Sequence, residues 1–241
     1  MPGTPIATIA RIFRYPVKSM QGQELDEAFV GRHGLAGDRR YAFVQAGSRS
    51  PFPWLTGREL SKLLLYRPEY DQPFTDPQRE PPVSVVAPDG ARYDIFAPAL
   101  RERLEREFGR PVFLLRDMKG QPDIAQVSLF NLELAAAIGA AAGCAVDPRR
   151  FRANLYLQPT GAGYDETTLP GRTLTVGDNV RLAVTMLDPR CEMITLDPET
   201  AAREPAVLRT VANGYRNNAG LYAVVLRPGT VRRGDAVVLE E

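Results

Sequence analysis

The chain of 241 residues contains one histidine and two cysteines, and these shortages exclude several kinds of site. Cys144, Cys191 and His33 are too few for a disulfide framework or a Cys/His zinc cluster within one chain. They are also too few for an iron–sulfur cluster held by four cysteines. A Ser-His-Asp triad would depend on His33 alone, which lies in an Arg-His-Gly-Leu stretch typical of a turn. We therefore expect no hydrolytic triad.

The sequence also lacks a long apolar run, a glycine-rich phosphate loop and an excess of one charge. Its longest notable uncharged apolar run, residues 134–146, is shorter than the ~20 residues that cross a bilayer. The first six residues lack the basic and apolar segments of a signal peptide, so we expect a cytoplasmic protein with no membrane partner. Thirty basic and 29 acidic residues give a net charge of +1, which does not favour nucleic acid. Any anion site must therefore be local.

The apolar pattern predicts many short strands and few helices. Strands are expected at residues 6–14, 25–30, 41–45, 83–87, 92–96, 112–115, 154–157, 180–186, 221–226 and 231–239, the last two as a closing hairpin. Helices are expected from the Thr-Gly-Arg-Glu capping box at residue 56 to residue 64, over 100–108 before Gly109, from Ser128 to Gly139, and over 205–215. We predict an α+β, mainly β protein that contains a β-barrel.

Polar stretches divide this pattern. Residues 71–82 are rich in Pro, Gln and Asp and are predicted to form an exposed loop. Asp197 and Pro198 are typical of the first residues of a helix. A second polar stretch near residues 117–122 indicates a boundary between domains 1–118 and 119–241.

Two segments in the first third of the chain could bind an anion. Tyr-Pro-Val-Lys-Ser follows a predicted strand, and its proline leaves Lys18 and Ser19 free to offer an ammonium, a hydroxyl and backbone N–H groups. The stretch Gly-Leu-Ala-Gly-Asp-Arg-Arg precedes the next strand, and its glycines permit a turn that directs Arg39 toward Lys18. A solvated strand end and a plain hairpin with surface arginines are the alternative interpretations.

Two further segments carry candidate binding groups. Arg152 and Asn154 would share one face of a strand and suit a phosphate or a polar heterocycle, although an Arg-rich loop explains them equally. Cys191 follows Arg190 on a predicted loop, where a neighbouring cation favours the thiolate. A lone thiolate suits a nucleophile or a ligand of a soft metal. The alternative is a structural cysteine, which is how we interpret Cys144.

Five motifs follow one another in fixed order over residues 6–239: Tyr-Pro-Val-Lys-Ser, Gly-Leu-x-x-Asp-Arg, Phe-Arg-x-Asn, Cys-x-x-x-Thr-x-Asp-Pro and Pro-Gly-x-x-x-x-Gly-Asp. In this the chain resembles the MOSC proteins with an N-terminal β-barrel domain, the group that includes the amidoxime-reducing components. The resemblance implies a MOSC barrel with an associated N-terminal β-rich domain. It also implies a molybdenum cofactor, a pterin dithiolene that holds molybdenum.

The same resemblance assigns a role to each candidate residue. Cys191 would be a ligand of molybdenum, and Lys18, Ser19 and Arg39 would hold the pterin phosphate. Arg152 and Asn154 would contact the phosphate or the pterin, and Ser128 would also reach the cofactor. The chain departs from the family pattern at three positions. It has Met20 where relatives often have a cysteine, Ala153 where a proline is commoner, and Ala201 where a glycine is usual.

The implied function is a two-electron reductase of small N-hydroxylated compounds. Because the chain carries no flavin or iron–sulfur domain, a separate donor protein would have to supply the electrons. Two other functions remain open at this point. One is a non-redox cofactor-binding or sulfur-carrier module with a persulfide on Cys191, and the other is a structural barrel that binds nothing.

Overall fold

The computed structural model of the chain describes residues 4–74, 79–161 and 164–240. Strand residues make up 38% and helical residues 21%, which confirms the mainly β class. The first half contains β1 (Pro5–Arg14), β2 (Gln23–Leu25), β3 (Glu27–Gly31), β4 (Gly34–Leu35), β5 (Tyr41–Gln45), β6 (Arg67–Tyr70), β7 (Val83–Val86), β8 (Arg92–Asp94) and β9 (Val112–Arg116). The second half contains β10 (Val127–Asn131), β11 (Leu155–Pro159), β12 (Thr173–Val176), β13 (Val180–Pro189), β14 (Asn218–Arg227), β15 (Gly229–Arg232) and β16 (Ala236–Leu239).

Three α-helices and several short 3-10 helices complete the described secondary structure. The α-helices are α1 (Pro98–Phe108), α2 (Leu132–Ala142) and α3 (Pro205–Gly214). The 3-10 helices are Ser61–Leu65, Pro148–Phe151, Glu166–Thr168 and Glu192–Thr195. Among the described residues, no helix combines the length and the apolar character needed to cross a membrane.

Seven strands close into a barrel. Their order is β11-β10-β14-β13-β12-β16-β1, and β1 pairs back to β11. The interior is aliphatic, with fully buried Leu129, Leu155, Leu174, Leu182 and Leu221, so the barrel is a packed core. β1 comes from the N-terminal part of the chain but pairs with β11 and β16. β1 is therefore itself a strand of the barrel, and the residues after Arg14 begin beside the barrel. The domain division at residue 118 stays a prediction.

A second core lies under strands β5 to β9. β5 pairs with β9, and β6, β7 and β8 form an antiparallel sheet. Helix α1 covers this core with Leu100 and Leu104, which lie one turn apart and are both fully buried. Gly109 ends the helix with φ +80°, and the β7–β8 hairpin pairs as expected. These two sequence predictions are confirmed.

The predicted start and end of the Ala-rich helix are wrong. Ser128 lies in β10, whose first four residues are all buried, and Asn131 begins α2 by accepting a 2.9 Å hydrogen bond from the Glu133 amide. Gly139 does not stop the helix, which continues to Ala142 and is capped by Gly143. A Cβ at Gly139 would lie 2.9 Å from the Cys144 carbonyl oxygen, so this glycine permits a close approach of the chain.

The predicted closing hairpin is also wrong. β14 pairs with β10 and β13, β15 pairs with β3, and β16 pairs with β1 and β12. The alternating pattern locates these strands, but their partners come from distant parts of the chain. The strand expected over residues 25–30 is similarly interrupted at Asp26, which separates β2 from β3.

Three other local predictions need correction. The Thr56–Glu59 capping contacts exist, with the Thr56 amide donating to Glu59 Oε2 at 3.0 Å, but they close a turn before the 3-10 helix Ser61–Leu65. Asp197 begins a turn instead of a helix. In the loop expected over residues 71–82, residues 75–78 lie outside the described chain. Its described residues form no helix or strand, and residues 71–73, 79 and 82 are exposed as predicted. Glu80 differs, because its side chain is 1% exposed and accepts hydrogen bonds from Tyr70 and Arg116.

Candidate functional site

Six of the seven predicted site residues line one cavity of about 310 Å³ between the barrel and the N-terminal core. They are Lys18, Ser19, Arg39, Ser128, Arg152 and Cys191. The seventh, Asn154, lies behind the cavity wall. Residues separated by more than a hundred positions are thus brought together by the return of β1 to the barrel.

Lys18 is fixed by the turn that follows β1. Its amide donates to the Tyr41 carbonyl oxygen at 2.8 Å, which ties the turn to β5. Only 6% of its side chain is exposed. The ammonium group donates to the Gln121 carbonyl oxygen at 2.8 Å and forms an ion pair with Asp123. Burial lowers the pKa of Lys18, and the Asp123 carboxylate opposes that effect.

Arg39 and Arg152 are held on the ring of Tyr15. Their guanidinium carbons lie 4.6 and 4.4 Å from its centroid. Arg39 donates to the Arg152 carbonyl oxygen at 2.9 Å, and Arg152 donates to the Met20 carbonyl oxygen at 2.7 Å. Burial lowers the pKa of Arg152. Burial would also lower the pKa of Arg39, but its ion pair with Asp38 raises that pKa.

Three of the cavity residues have left-handed backbones. The φ angles are +66° at Ser19, +48° at Arg39 and +53° at Arg152. Such a conformation costs a non-glycine residue about 1–2 kcal/mol. Strained residues of this kind often mark binding or catalytic sites, so the cost itself points to function here.

Ser128 and Asn154 form a buried pair at the base of the cavity. The Ser128 amide donates to Asn154 Oδ1 at 3.1 Å, and Asn154 Nδ2 donates to the Phe13 carbonyl oxygen at 3.2 Å. Asn154 therefore ties β10 to β1, and its 1% exposure keeps it off the cavity surface. The predicted shared strand face with Arg152 is wrong, because Arg152 ends a 3-10 helix in the left-handed region and precedes β11.

Cys191 follows β13 and is an exposed residue on the wall of the same cavity as Lys18. The preceding Arg190 points inward: it donates to the carbonyl oxygens of Ala219 at 2.6 Å and Phe151 at 2.9 Å. Its terminal nitrogen lies 2.8 Å from Asp188. Cys144, by contrast, is half-buried against the helical cluster next to α2.

The residues after Cys191 hold its short helix in place. Arg150 donates to the Thr195 carbonyl oxygen at 2.7 Å and to Asp197 Oδ2 at 3.0 Å. Asp197 Oδ1 accepts the Glu199 and Thr200 amides, both at 3.0 Å. These contacts give the Thr-x-Asp-Pro motif a positioning role for the loop that carries the thiol.

Sequence reasoning missed several groups on the cavity wall: Asp123, Arg150, Asp188, Arg190 and Tyr222. Arg150 and Arg190 lie close to the motif residues Arg152 and Cys191, and this proximity could have indicated that they belong to the site. Asp123, Asp188 and Tyr222 carry no local signal. Burial raises the pKa of Asp188 to about 6, although Arg190 opposes the shift.

The cavity wall is strongly cationic, with two carboxylates against six cations. The carboxylates are Asp123 and Asp188, and the cations are Lys18, Arg39, Arg58, Arg150, Arg152 and Arg190. The cavity therefore carries a local excess of positive charge in a chain whose net charge is only +1. Over the described ranges, no three His, Cys, Asp or Glu side chains come close enough to hold a metal ion.

Fold and site together define a β-barrel protein with a cationic cavity and one exposed thiol. The model of the MOSC domain matches residues 116–238, and the model of the MOSC N-terminal beta barrel domain matches residues 6–99. The chain belongs to the MOSC domain family, which confirms the resemblance seen in its motifs. This family is associated with molybdenum-cofactor binding.

One solved structure of similar length agrees with this fold. The YUAD protein from Bacillus subtilis is similar at 16% identity, covers 97% of this chain and 94% of its own, and has a TM-score of 0.52. The likeness to YiiM from Geobacillus stearothermophilus is partial, with 18% identity, 48% of this chain, 55% of that chain and a TM-score of 0.39. No curated protein gives a significant match.

Proposed function

We propose that the cavity binds a molybdenum cofactor, with the Cys191 thiolate as a metal ligand. Lys18, Ser19, Arg39 and Arg152 would bind the phosphate of the pterin. The observation that carries this proposal is the meeting of an exposed thiol and buried cations in one cavity of about 310 Å³. A soft thiolate suits a thiophilic metal, and fixed guanidinium groups suit a phosphate.

The donor set fits the cofactor in its chemistry as well as its position. Lys18 and Arg152 lie in largely buried surroundings, where a cation is stable only beside anionic or carbonyl partners. Ser19, Arg39 and Arg152 keep strained backbones that direct them to the cavity. Ser128 offers a hydroxyl on the same wall, and Asn154 supports it from behind.

The bound cofactor would supply a two-electron redox centre able to accept the oxygen of an N–O group. The chain's own residues would position the substrate and manage protons. Asp188 can take up and release a proton near pH 6, because burial raises its pKa to about 6. Phe52 and Met193 line the same cavity and can contact the organic part of a substrate.

We assign to this site the reduction of small N-hydroxylated compounds, with electrons from a separate flavin or iron–sulfur protein. The family association with the molybdenum cofactor supports the cofactor half of this assignment. The motif resemblance supports the substrate class. The two cysteines of the chain are too few to hold an iron–sulfur cluster of its own with four thiolate ligands, which supports an external donor.

A sulfur carrier is the second candidate, favoured by the exposure of Cys191. The two functions are separated by assaying cofactor-loaded protein for N-hydroxylamine reduction with a chemical electron donor, and by mass spectrometry of Cys191. Turnover with an unmodified thiol supports the reductase. A Cys191 persulfide without turnover supports the carrier, and neither result is expected of a structural barrel.

A further inference from the structure

An acidic side chain of the chain itself already contacts the anion-binding groups. The Asp123 carboxylate forms an ion pair with the buried Lys18 ammonium on the cavity wall. Partial burial alone would raise the pKa of Asp123, but Lys18, Arg39 and Arg152 together lower it. These are the three cations that would hold a ligand phosphate.

The segment that carries Asp123 is held on either side of it, by residues 117–121 before it and by β10 after it. The amides of Asp117 and Gln121 donate to the Arg40 and Arg39 carbonyl oxygens, both at 2.8 Å. Residues 122–125, all described, make no backbone hydrogen bond of their own. The Asp123 side chain is 53% exposed, whereas that of Lys18 is 6% exposed. The carboxylate can therefore leave the cavity while Lys18 stays fixed.

We propose that Asp123 acts as an internal anion that competes for Lys18 and so restricts the cavity to anions that bind it strongly. A monovalent anion that displaces the Asp123 carboxylate from Lys18 replaces one singly charged contact with another, so it gains little. A phosphate monoester carries more charge and several oxygens, so it can contact Lys18 together with Arg39 or Arg152. This inference rests on the anion-binding part of the proposed function.

The competition has a calculable consequence. The apparent affinity is the intrinsic affinity multiplied by the fraction of molecules in the binding-competent state, which here is the state with Lys18 free of Asp123. If the Lys18–Asp123 pair is formed in about nine molecules of ten, removing the carboxylate should tighten anion binding about tenfold. Tenfold corresponds to about 1.4 kcal/mol, close to the worth of one charge-assisted hydrogen bond.

The test uses the full chain produced in cells that do not make the cofactor, titrated calorimetrically with inorganic phosphate. Asp123→Asn should bind phosphate about tenfold more tightly than the unchanged protein, and Asp123→Glu, which keeps the carboxylate, should bind nearly as weakly as the unchanged protein. Asp178→Asn is the matched control, since it changes net charge equally at an exposed turn between β12 and β13. It should leave phosphate affinity unchanged.

Three results would overturn the proposal: no phosphate binding by Asp123→Asn, affinity equal to or weaker than that of the unchanged protein, or an equal gain in Asp178→Asn or Asp123→Glu. Molybdenum content, measured separately on protein from cofactor-making cells, distinguishes the two claims. If the protein contains molybdenum but Asp123→Asn gains no phosphate affinity, only the role of Asp123 is ruled out. If Asp123→Asn gains phosphate affinity but the protein contains no molybdenum, the role of Asp123 stands and the proposed cofactor function is ruled out.

Discussion

Two parts of the cavity wall are built in different ways. We call Lys18, Ser19, Arg39 and Arg152 the cationic wall, and Cys191 with its 3-10 helix Glu192–Thr195 the thiol wall. The cationic wall is largely buried and is held by contacts between distant parts of the chain, such as Arg152 to Met20. The thiol wall carries one exposed cysteine on a short loop.

This difference separates binding from chemistry. On the cationic wall several groups share the recognition of an anion, so the loss of one should weaken binding without abolishing it. On the thiol wall a single sulfur atom carries the proposed metal bond. The strain at Ser19, Arg39 and Arg152 indicates that the positions of the cationic groups matter enough to offset a stability cost.

The largest effect is expected on the thiol wall. Cys191→Ser should abolish N-hydroxylamine reduction, because a hydroxyl is harder and far less readily deprotonated than a thiol. Its unfolding free energy should change by less than about 0.5 kcal/mol, since the residue is exposed.

Cys144→Ser is the matched control. Placing a hydroxyl in its half-buried position should cost about 1 kcal/mol of stability while activity per folded molecule is retained. Activity and thermal melts of both variants, each produced in cells that make the cofactor, check both statements. Full activity in Cys191→Ser would remove the assignment.

Next in size is a pH effect at Asp188, which adjoins the thiol wall. Its pKa is raised to about 6 from 3.8 by burial, so the folded state holds the proton more tightly than the unfolded chain does. Stability should therefore fall by about 3 kcal/mol as pH rises from about 4 to about 6. Asp188→Asn cannot ionise and should lack this decrease. Urea unfolding of both proteins across this pH range checks it, and parallel curves would contradict it.

Weaker, graded effects are expected on the cationic wall. Lys18→Ala and Arg39→Ala each remove a charge-assisted contact worth roughly 1.5–3 kcal/mol, so cofactor retention should weaken by about one to two orders of magnitude. The measurement is molybdenum content after dialysis, with Lys62→Ala as a control outside the cavity. Unchanged content in both variants would show that these cations do not hold the ligand.

The smallest effect concerns Ala201, which follows the Asp-Pro turn beyond the thiol wall. Its φ of +57° is left-handed, which accounts for the glycine that the family pattern has there. Ala201→Gly relieves this strain but loosens the unfolded chain, so we expect a gain of at most about 1 kcal/mol. A denaturant titration checks the sign, and a clear loss of stability would contradict the strain argument.

From the sequence, the residues that line the cavity could be predicted more reliably than the local structure of those residues. Lys18, Arg39 and Cys191 lie in motifs whose side-chain chemistry is recognisable, and these three line the cavity. The conformation of Arg152 was not predictable, because a left-handed arginine contradicts local preference and is imposed by tertiary contacts.

Pairing between distant strands was equally hidden from local pattern. β14 was recognisable as a strand, whereas β15 and β16 were predicted as a single strand over residues 231–239. The partners of all three were not recognisable. Asp123 was missed for the same reason: nothing near it in the sequence indicates that it meets Lys18.

The central claim is that this cavity is a molybdenum-cofactor site, and the most direct test is elemental and pterin analysis of the purified chain. The protein should be produced in cells that make the cofactor. We predict stoichiometric molybdenum and pterin in the unchanged protein and in Cys144→Ser, and near-background molybdenum in Cys191→Ser. Metal-free protein from cells in which another molybdenum-cofactor enzyme is fully loaded would contradict the claim.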